Sequence, residues 1–372
     1  MTKYLISRRK VVVGGVAMAA SGRFSRGAAA ETEAGSFAAL PSEGGLAPWD
    51  YWRSNAGAGA LRIASGAILA ASPYNTQPWL FRLSSNRIEV IADEKRNLAG
   101  LDPFRREFYM GLGCAIENAC VAAPSQGLNV KVSLLPKGPT DALAATLAFE
   151  PTTGSPHPHQ EAIALRHTHR GPYQRDRQVE TSALDAFDRQ ATVPDVKLLL
   201  INARDDAGKT FSDLTLEGTR RILDVETLRE GRHSGIRASA SGANMDEAAF
   251  QKADKGWLEL TQAVTCATAP MFGLIMVRGV RTDHRLHIEA GRLWQRVHLE
   301  GMLHGLALQP MNHSIEVIDF ETRSEGSSSM AARMNLGGTW NGWQPIFGFR
   351  VGYADGPAPA SGRRPLSAVV MS

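Results

Sequence analysis

Three stretches of this 372-residue chain carry side chains whose types and spacing could do chemistry. The first is Ser72-Pro73-Tyr74-Asn75-Thr76-Gln77-Pro78-Trp79. It puts a hydroxyl and two amides on a loop stiffened by two prolines. Such groups can hydrogen-bond the polar rim of a flat heterocycle while Tyr74 or Trp79 covers apolar surface. A capped turn explains the same residues, since Ser and Asn are common at turns. The second stretch is Arg166-His167-Thr168-His169-Arg170, in which two guanidiniums flank a hydroxyl. That fork suits a terminal phosphate, with a solvated charged face as the alternative. In the third, His284 and His287 are spaced i,i+3, but no Glu-containing zinc motif accompanies them, so no metal is expected. The chain has no Gly-x-Ser-x-Gly elbow, no P-loop and no Gly-x-Gly-x-x-Gly opening a helix after a strand.

The elements around these residues follow from hydrophobic periodicity. A helix over 61–71 leads into the first loop, and a hairpin with strands 80–83 and 88–92 leaves it. A strongly apolar helix over 112–123 and strands at 130–135 and 144–149 follow. After a Pro/Gly-punctuated linker at 151–158 the order begins again. A helix starts at 161–165, then come a buried strand at 196–201, helices over 214–228 and 288–306, and a strand at 347–353. Residues 111–128 overlay 289–306 at a constant offset, with Gly113 on Gly291, Gly127 on Gly305 and Leu128 on Leu306. This points to two similar halves, 46–150 and 160–370, about a pseudo-dyad, so that one chain acts as a pseudo-dimer. Residues 229–285 fit neither half and read as a lid or as a structural excursion. The expected class is α+β with antiparallel-rich sheet.

The run Ala71 to Trp79 resembles the flavin-edge loop of the nitroreductase family, whose pattern is a small residue, Ser, then Asn-x-Gln-Pro-Trp. The resemblance implies that Ser72, Pro73, Tyr74, Asn75 and Gln77 contact FMN. Arg166, His167, Thr168 and Arg170 lie in a run similar to the family's Arg-x-Ser/Thr-x-Arg phosphate grip. The stretch Gly362-Arg363-Arg364-Pro365-Leu366 resembles the tail that returns a basic residue to that phosphate, through Arg363 or Arg364. Residues 305–312, ending in Pro310, Met311 and Asn312, resemble the segment whose backbone passes the flavin N5; Pro310 as a simple helix terminator is the alternative. The first half has the loop without the grip, and the second the grip without the loop. One complete FMN site across the two halves is therefore expected. This halved arrangement, with the tract 101–107, resembles the Acg-type branch, single-chain proteins that can keep FMN under a lid. The family implies NAD(P)H as transient donor and an electron-poor acceptor such as a nitroaromatic or quinone, with no side-chain acid or base assigned as catalytic. The rivals are an FMN-sequestering protein and a scaffold without flavin.

Composition is ordinary for a globular protein, with 43% hydrophobic and 21% charged residues. A formal charge of +4 is too small to imply nucleic acid or a stable membrane association. Three cysteines, Cys114, Cys120 and Cys266, are too few for a disulfide framework and read as core residues. Residues 1–30 resemble a twin-arginine signal peptide: Lys3, then Ser7-Arg8-Arg9-Lys10, an apolar run at 11–20 too short to span a bilayer, and Ala28-Ala29-Ala30. The expectation is a monomer with dimer-like internal symmetry, carried folded to the periplasm by the twin-arginine translocase.

Overall fold

The computed structural model describes residues 40–239, 245–335 and 340–371. The expected export signal lies outside the described residues. The first part of the chain runs α1 (Ala47–Arg53), α2 (Gly59–Ala67), β1 (Trp79–Leu83), β2 (Arg87–Ala92), α3 (Arg106–Ala122), β3 (Leu128–Leu134) and β4 (Leu143–Pro151). The second runs α4 (Gln160–Leu165), α5 (Thr181–Asp188), β5 (Val196–Asn202), α6 (Asp206–Asp224), α7 (Glu226–Ala238), α8 (Glu247–Leu260) and β6 (Met271–Arg278). It continues through α9 (His284–Leu303), β7 (Ala307–Pro310), α10 (His313–Glu325), α11 (Ser329–Met334), β8 (Trp343–Gly352) and β9 (Val370–Met371). The protein is α+β, as the sequence predicts.

Both parts repeat one topology. The first sheet has the order β3-β4-β2-β1 with β9 added at its edge, and the second has the order β7-β8-β6-β5. In each, two strands precede a long helix and two follow it, and these eight strands pair antiparallel. The second strand is bulged against the fourth in both, at Val90/Ile91 and at Ile275/Met276. The tail then returns to the first sheet, where β9 pairs parallel with β1 and Phe81 N–H donates to Val369 O at 2.7 Å.

The long helices α3 and α9 cross at the centre. Every residue of α3 except Cys120 is buried, including the polar Arg106, Glu107, Glu117 and Asn118. A Cβ on Gly113 would stand 2.1 Å from Ile288 O, and one on Gly291 would stand 2.1 Å from Met110 O. Each glycine thus meets the carbonyl three residues before the other, the reciprocal pattern of an isologous contact. Glu117 accepts from Arg292 Nε and Arg296 Nη1, each at 2.9 Å, and Gln295 Nε2 donates to Asn118 Oδ1 at 2.7 Å. Asp283 caps α9 by accepting from the Arg285 and Leu286 N–H groups. Behind the crossing, buried Arg106 donates to Asp319 Oδ2 (2.7 Å), Ile346 O (2.7 Å) and Glu107 Oε1 (3.1 Å), tying α3 to α10 and β8.

Several expected elements differ. The strand at 196–201 is not buried: β5 is an edge strand whose residues are mostly part-exposed. The helix read over 214–228 is α6 and α7, separated at Val225, whose ψ of 114° is extended. The last long helix ends at Leu303, and Gly305 turns the chain at φ 66°. Residues 229–285 are not one insertion, because 271–278 form β6, a central strand with six of its eight residues buried. Its short unbroken apolar run carries no period to separate strand from helix. Cys114, Cys120 and Cys266 are free and wholly or partly buried. Among the described residues no helix is long and apolar enough to cross a membrane.

Gly291→Ala is expected to lower unfolding stability in urea by about 3 kcal/mol, the upper range for overpacking. Gly256→Ala, in a helix with open space around it, is expected to leave stability unchanged or raise it by up to about 1 kcal/mol. Equal effects of the two would contradict the close crossing.

Candidate functional site

The loop after α2 is strained. Tyr74, Asn75 and Gln77 have φ of 48°, 57° and 52°, a region that residues with a Cβ seldom enter and that costs roughly 1 kcal/mol or more each. What holds it is the C-terminal tail. Asn75 Nδ2 donates to Gly362 O at 2.9 Å, Arg363 Nη1 donates to Asn75 Oδ1 at 3.1 Å, and Arg364 N–H donates to Gln77 Oε1 at 2.7 Å. Within the loop, Gln77 N–H donates to Ser72 Oγ at 3.1 Å. On the other side, Ala71 N–H donates to Gln295 Oε1 of α9 at 3.3 Å.

The grip and the tail converge on the same place. Arg166 Nη2 and Arg363 Nη2 both donate to Leu69 O, at 3.0 and 3.2 Å. The two residues are 2% and 4% exposed, yet neither forms an ion pair with a carboxylate among the described residues, and the Nε of each has no partner there. Burial pushes Arg166 down to about 10. Burial, with Arg166 beside it, pushes Arg363 well below the usual guanidinium range. An unpaired buried cation costs several kcal/mol, a cost that a bound anion would offset.

Both arginines open onto one cleft of about 330 Å³, a size typical of small-molecule sites. Ser72, Pro73, Tyr74 and Asn75 line it from the loop, and Thr168 and Arg170 from the grip. Pro310 and Asn312 line it from the strand end. Met110, Gly111, Trp294 and Phe347 supply apolar wall, and Arg232, Ile236 and Trp257 reach in from α7 and α8. Arg232 pairs with Asp254 and lies 4.4 Å from the Trp257 ring centre.

Four expected residues are not in the lining. Gln77 is buried between Asn75 O and Arg364 N–H, its amide spent on the turn. His167 packs edge-on against Trp49 at 4.5 Å, and burial followed by Arg166 and Arg363 pushes it down to about 4. Met311 is buried and its N–H donates to Gly348 O at 2.7 Å, so it is not free for a ligand. Arg364 turns away to Asp93 Oδ2 and Gln77 O, both at 3.2 Å, which singles out Arg363 as the tail's contribution. Asn75 lines the cleft, but both ends of its amide are already bonded. His284 stacks on Tyr109 at 4.0 Å, and His287 bonds to Arg281 O at 3.1 Å.

Sequence reasoning missed two buried carboxyls in the cleft, Glu107 and Glu316. It also missed His313, whose Nδ1 bonds to Thr219 Oγ1 at 2.8 Å. Each sits in or beside the first turn of a helix, where a polar residue ordinarily reads as capping or solvent contact. The one available signal was Glu107 just before the unbroken apolar run Phe108 to Ile116.

The cleft thus brings together apolar wall, two buried carboxyls and two buried guanidiniums whose Nε atoms have no partner among the described residues. No family model matches the chain. Two relatives from strains of Mycobacterium tuberculosis, named "Putative NAD(P)H nitroreductase Rv3131" and "Putative NAD(P)H nitroreductase MT3217", are each 28% identical over 323 residues. The match covers 82% of this chain and 88% of the relative. A nitroreductase with bound FMN from Bacteroides fragilis overlaps 55% of this chain and 93% of its own at 13% identity and a TM-score of 0.35. One from Desulfitobacterium hafniense, also with bound FMN, overlaps 54% and 93% at 13% identity and a TM-score of 0.37. These structural overlaps are too partial to compare sites. Along most of its length the chain is similar in sequence to these two relatives, which are named as NAD(P)H nitroreductases.

His287 and His313 are each pushed down to about 3, and His298 well below its usual value, in every case first by burial. These rings stay neutral in the folded protein but titrate near 6.5 once unfolded. The unfolded chain therefore binds more protons, and stability should be full above about pH 6.5 and fall as the pH drops toward 3. Urea midpoints across that window should show the fall, and His313→Gln should flatten it; an unchanged slope would show that His313 does not contribute.

Proposed function

We propose that the chain is an FMN-dependent NAD(P)H oxidoreductase of nitroreductase type. Arg166 and Arg363, with Thr168 and Arg170 beside them, would hold the phosphate of FMN. The ring would lie along the wall of Ser72, Pro73, Tyr74 and Pro310. The observation that carries this reading is the pair of buried guanidiniums with unpartnered Nε atoms at the end of the cleft. They fit a phosphate dianion, whose charge would offset the cost of burying them. Bound there, FMN would supply hydride chemistry between NAD(P)H and an electron-poor small molecule such as a nitroaromatic or quinone. The chain orients the ring, neutralises the phosphate and, through Trp294, Phe347 and Trp257, keeps water from the cleft. The relatives' names support the donor.

The repeated topology and the reciprocal α3–α9 contact support the pseudo-dimer reading, with one complete site across the two halves in a monomer. That arrangement fits the Acg-type branch. Because α7 and α8 carry Arg232, Ile236 and Trp257 over the cleft, FMN storage with little turnover is the second reading. The leader at 1–30 supports export through the twin-arginine translocase.

Protein purified without added flavin is expected to show flavin absorption, and Arg166→Ala to weaken FMN binding by about 1.5 to 3 kcal/mol through loss of a charged hydrogen bond. Arg364→Ala should cost less, since Arg364 faces Asp93. Unchanged FMN affinity in Arg166→Ala would overturn the assigned grip. Sustained NADPH oxidation with a nitroaromatic separates enzyme from store. Replacing Arg8 and Arg9 together with lysine should leave the precursor in the cytoplasm, as seen by fractionation; normal export would end the twin-arginine reading.

A further inference from the structure

We propose that Glu316 is the proton donor of the reaction proposed above, sharing one proton with Glu107 and handing it to the oxygen of a quinone-type acceptor in the cleft. This rests on the oxidoreductase reading and adds a catalytic residue and an acceptor class to it.

The two carboxyls come from the first turns of α3 and α10 and meet in the cleft wall. They are 4% and 3% exposed. Glu107 acts on Glu316 at close range, by its charge and by side-chain contact, and two carboxyls that share one buried site do not both ionise. Arg106 settles which. Its Nη2 donates to Glu107 Oε1 at 3.1 Å, with Asp319 fixing Arg106 from behind at 2.7 Å. Arg106 thus keeps Glu107 as a hydrogen-bond acceptor, and the proton of the pair lies on Glu316.

Glu316 Oε2 has no hydrogen-bond partner among the described residues, although it is buried and its residue lines the cleft. Among the groups around it, Asp102 is also raised, to about 7 and first by burial, while its Oδ2 accepts from the Phe108 N–H at 2.9 Å. Asp102 and Arg106 also act on it by charge, and Glu316 acts likewise on Tyr74 of the loop. Arg232 of α7 is occupied by Asp254. His313, one turn earlier on α10, stays neutral. Burial, followed by the charge of Glu107, holds the Glu316 carboxyl well above the usual range, the condition for an acid that is still protonated at neutral pH.

The balance is simple. A quinone that receives a hydride gains both electrons, drawn from NAD(P)H, and is left with one anionic oxygen. The Glu316 O–H bond breaks as the phenol O–H forms, and the carboxyl pair is left without its proton until water restores it. An acceptor that takes electrons without protons, such as ferricyanide, has no use for this group.

The test combines a spectrum with a ratio of rates. The infrared spectrum of the wild-type protein should show a neutral-carboxyl C=O band that shifts in D2O and disappears in Glu316→Gln, whether or not flavin is bound. In the flavin-loaded protein, Glu316→Gln should lower the ratio of quinone turnover to ferricyanide turnover roughly a hundredfold, the usual weight of general-acid catalysis. The wild type should show a solvent isotope effect with quinone and none with ferricyanide. A merely structural role would slow both acceptors alike and leave the ratio unmoved, which would overturn the proposal. If Glu316→Gln does not fold, Glu316→Asp, which keeps an acid, should retain part of the isotope effect, and absence of the wild-type carboxyl band would overturn the proposal by itself. Protein that takes up no flavin ends both this proposal and the function it rests on. A wild-type ratio in folded, flavin-bearing Glu316→Gln ends this one alone.

Discussion

The backbone distance between α3 and α9 is the constraint on which the rest depends. At Gly113 and Gly291 nothing larger than hydrogen fits between one helix and the carbonyl of the other. From that crossing, α3 sends Glu107, Met110 and Cys114 into the cleft and α9 sends Trp294. Gln295, one residue further along α9, holds the backbone at the start of the strained loop. Were the helices to part by a methyl group, the wall and the loop anchor would shift together. The Arg106–Asp319 pair deepens the dependence, because it locks α3 to α10 in a place where a broken pair would leave an uncompensated buried charge.

The site is held at a cost that a ligand could offset. Three left-handed residues in one short loop and two buried guanidiniums without counter-charge both raise the energy of the free protein. The tail relieves only the first, by bonding Asn75 and Gln77. A bound phosphate would relieve the second, so occupancy and stability should rise together.

Much of this was readable in the residues themselves. Arg166 and Thr168 stand out by spacing, and the loop by its hydroxyl, amides and prolines. The two glycines of the crossing stand out because they coincide when residues 111–128 are laid on 289–306. What could not be read was the direction of each side chain. Asn75 and Gln77 are the right types for a ligand edge, yet their amides are consumed by the tail, a contact across nearly 290 residues (|i−j| of 288 for Arg363 to Asn75). His167 alternates outward from its arginine neighbours onto Trp49, and Arg363 and Arg364 became distinguishable only when Asp93 appeared beside one of them. Glu107, Glu316 and Trp257 lie on helices whose polar residues look like solvent contacts until another helix covers them. The strand β6 was hidden for a related reason: a fully buried strand has no alternation to display.

The grip is divided along the chain, and that governs when it can exist. A ribosome that has released the first sheet and its loop has made a surface with no anion-holding residues. Arg166 emerges later, and Arg363 only after β8, the last strand of the second sheet. Until that last segment threads back beside β1, Tyr74, Asn75 and Gln77 have nothing to keep them in their costly conformations. A ligand that needs both arginines would therefore be captured late in biogenesis, and its loading would double as a check that both halves and the returning tail have found their places.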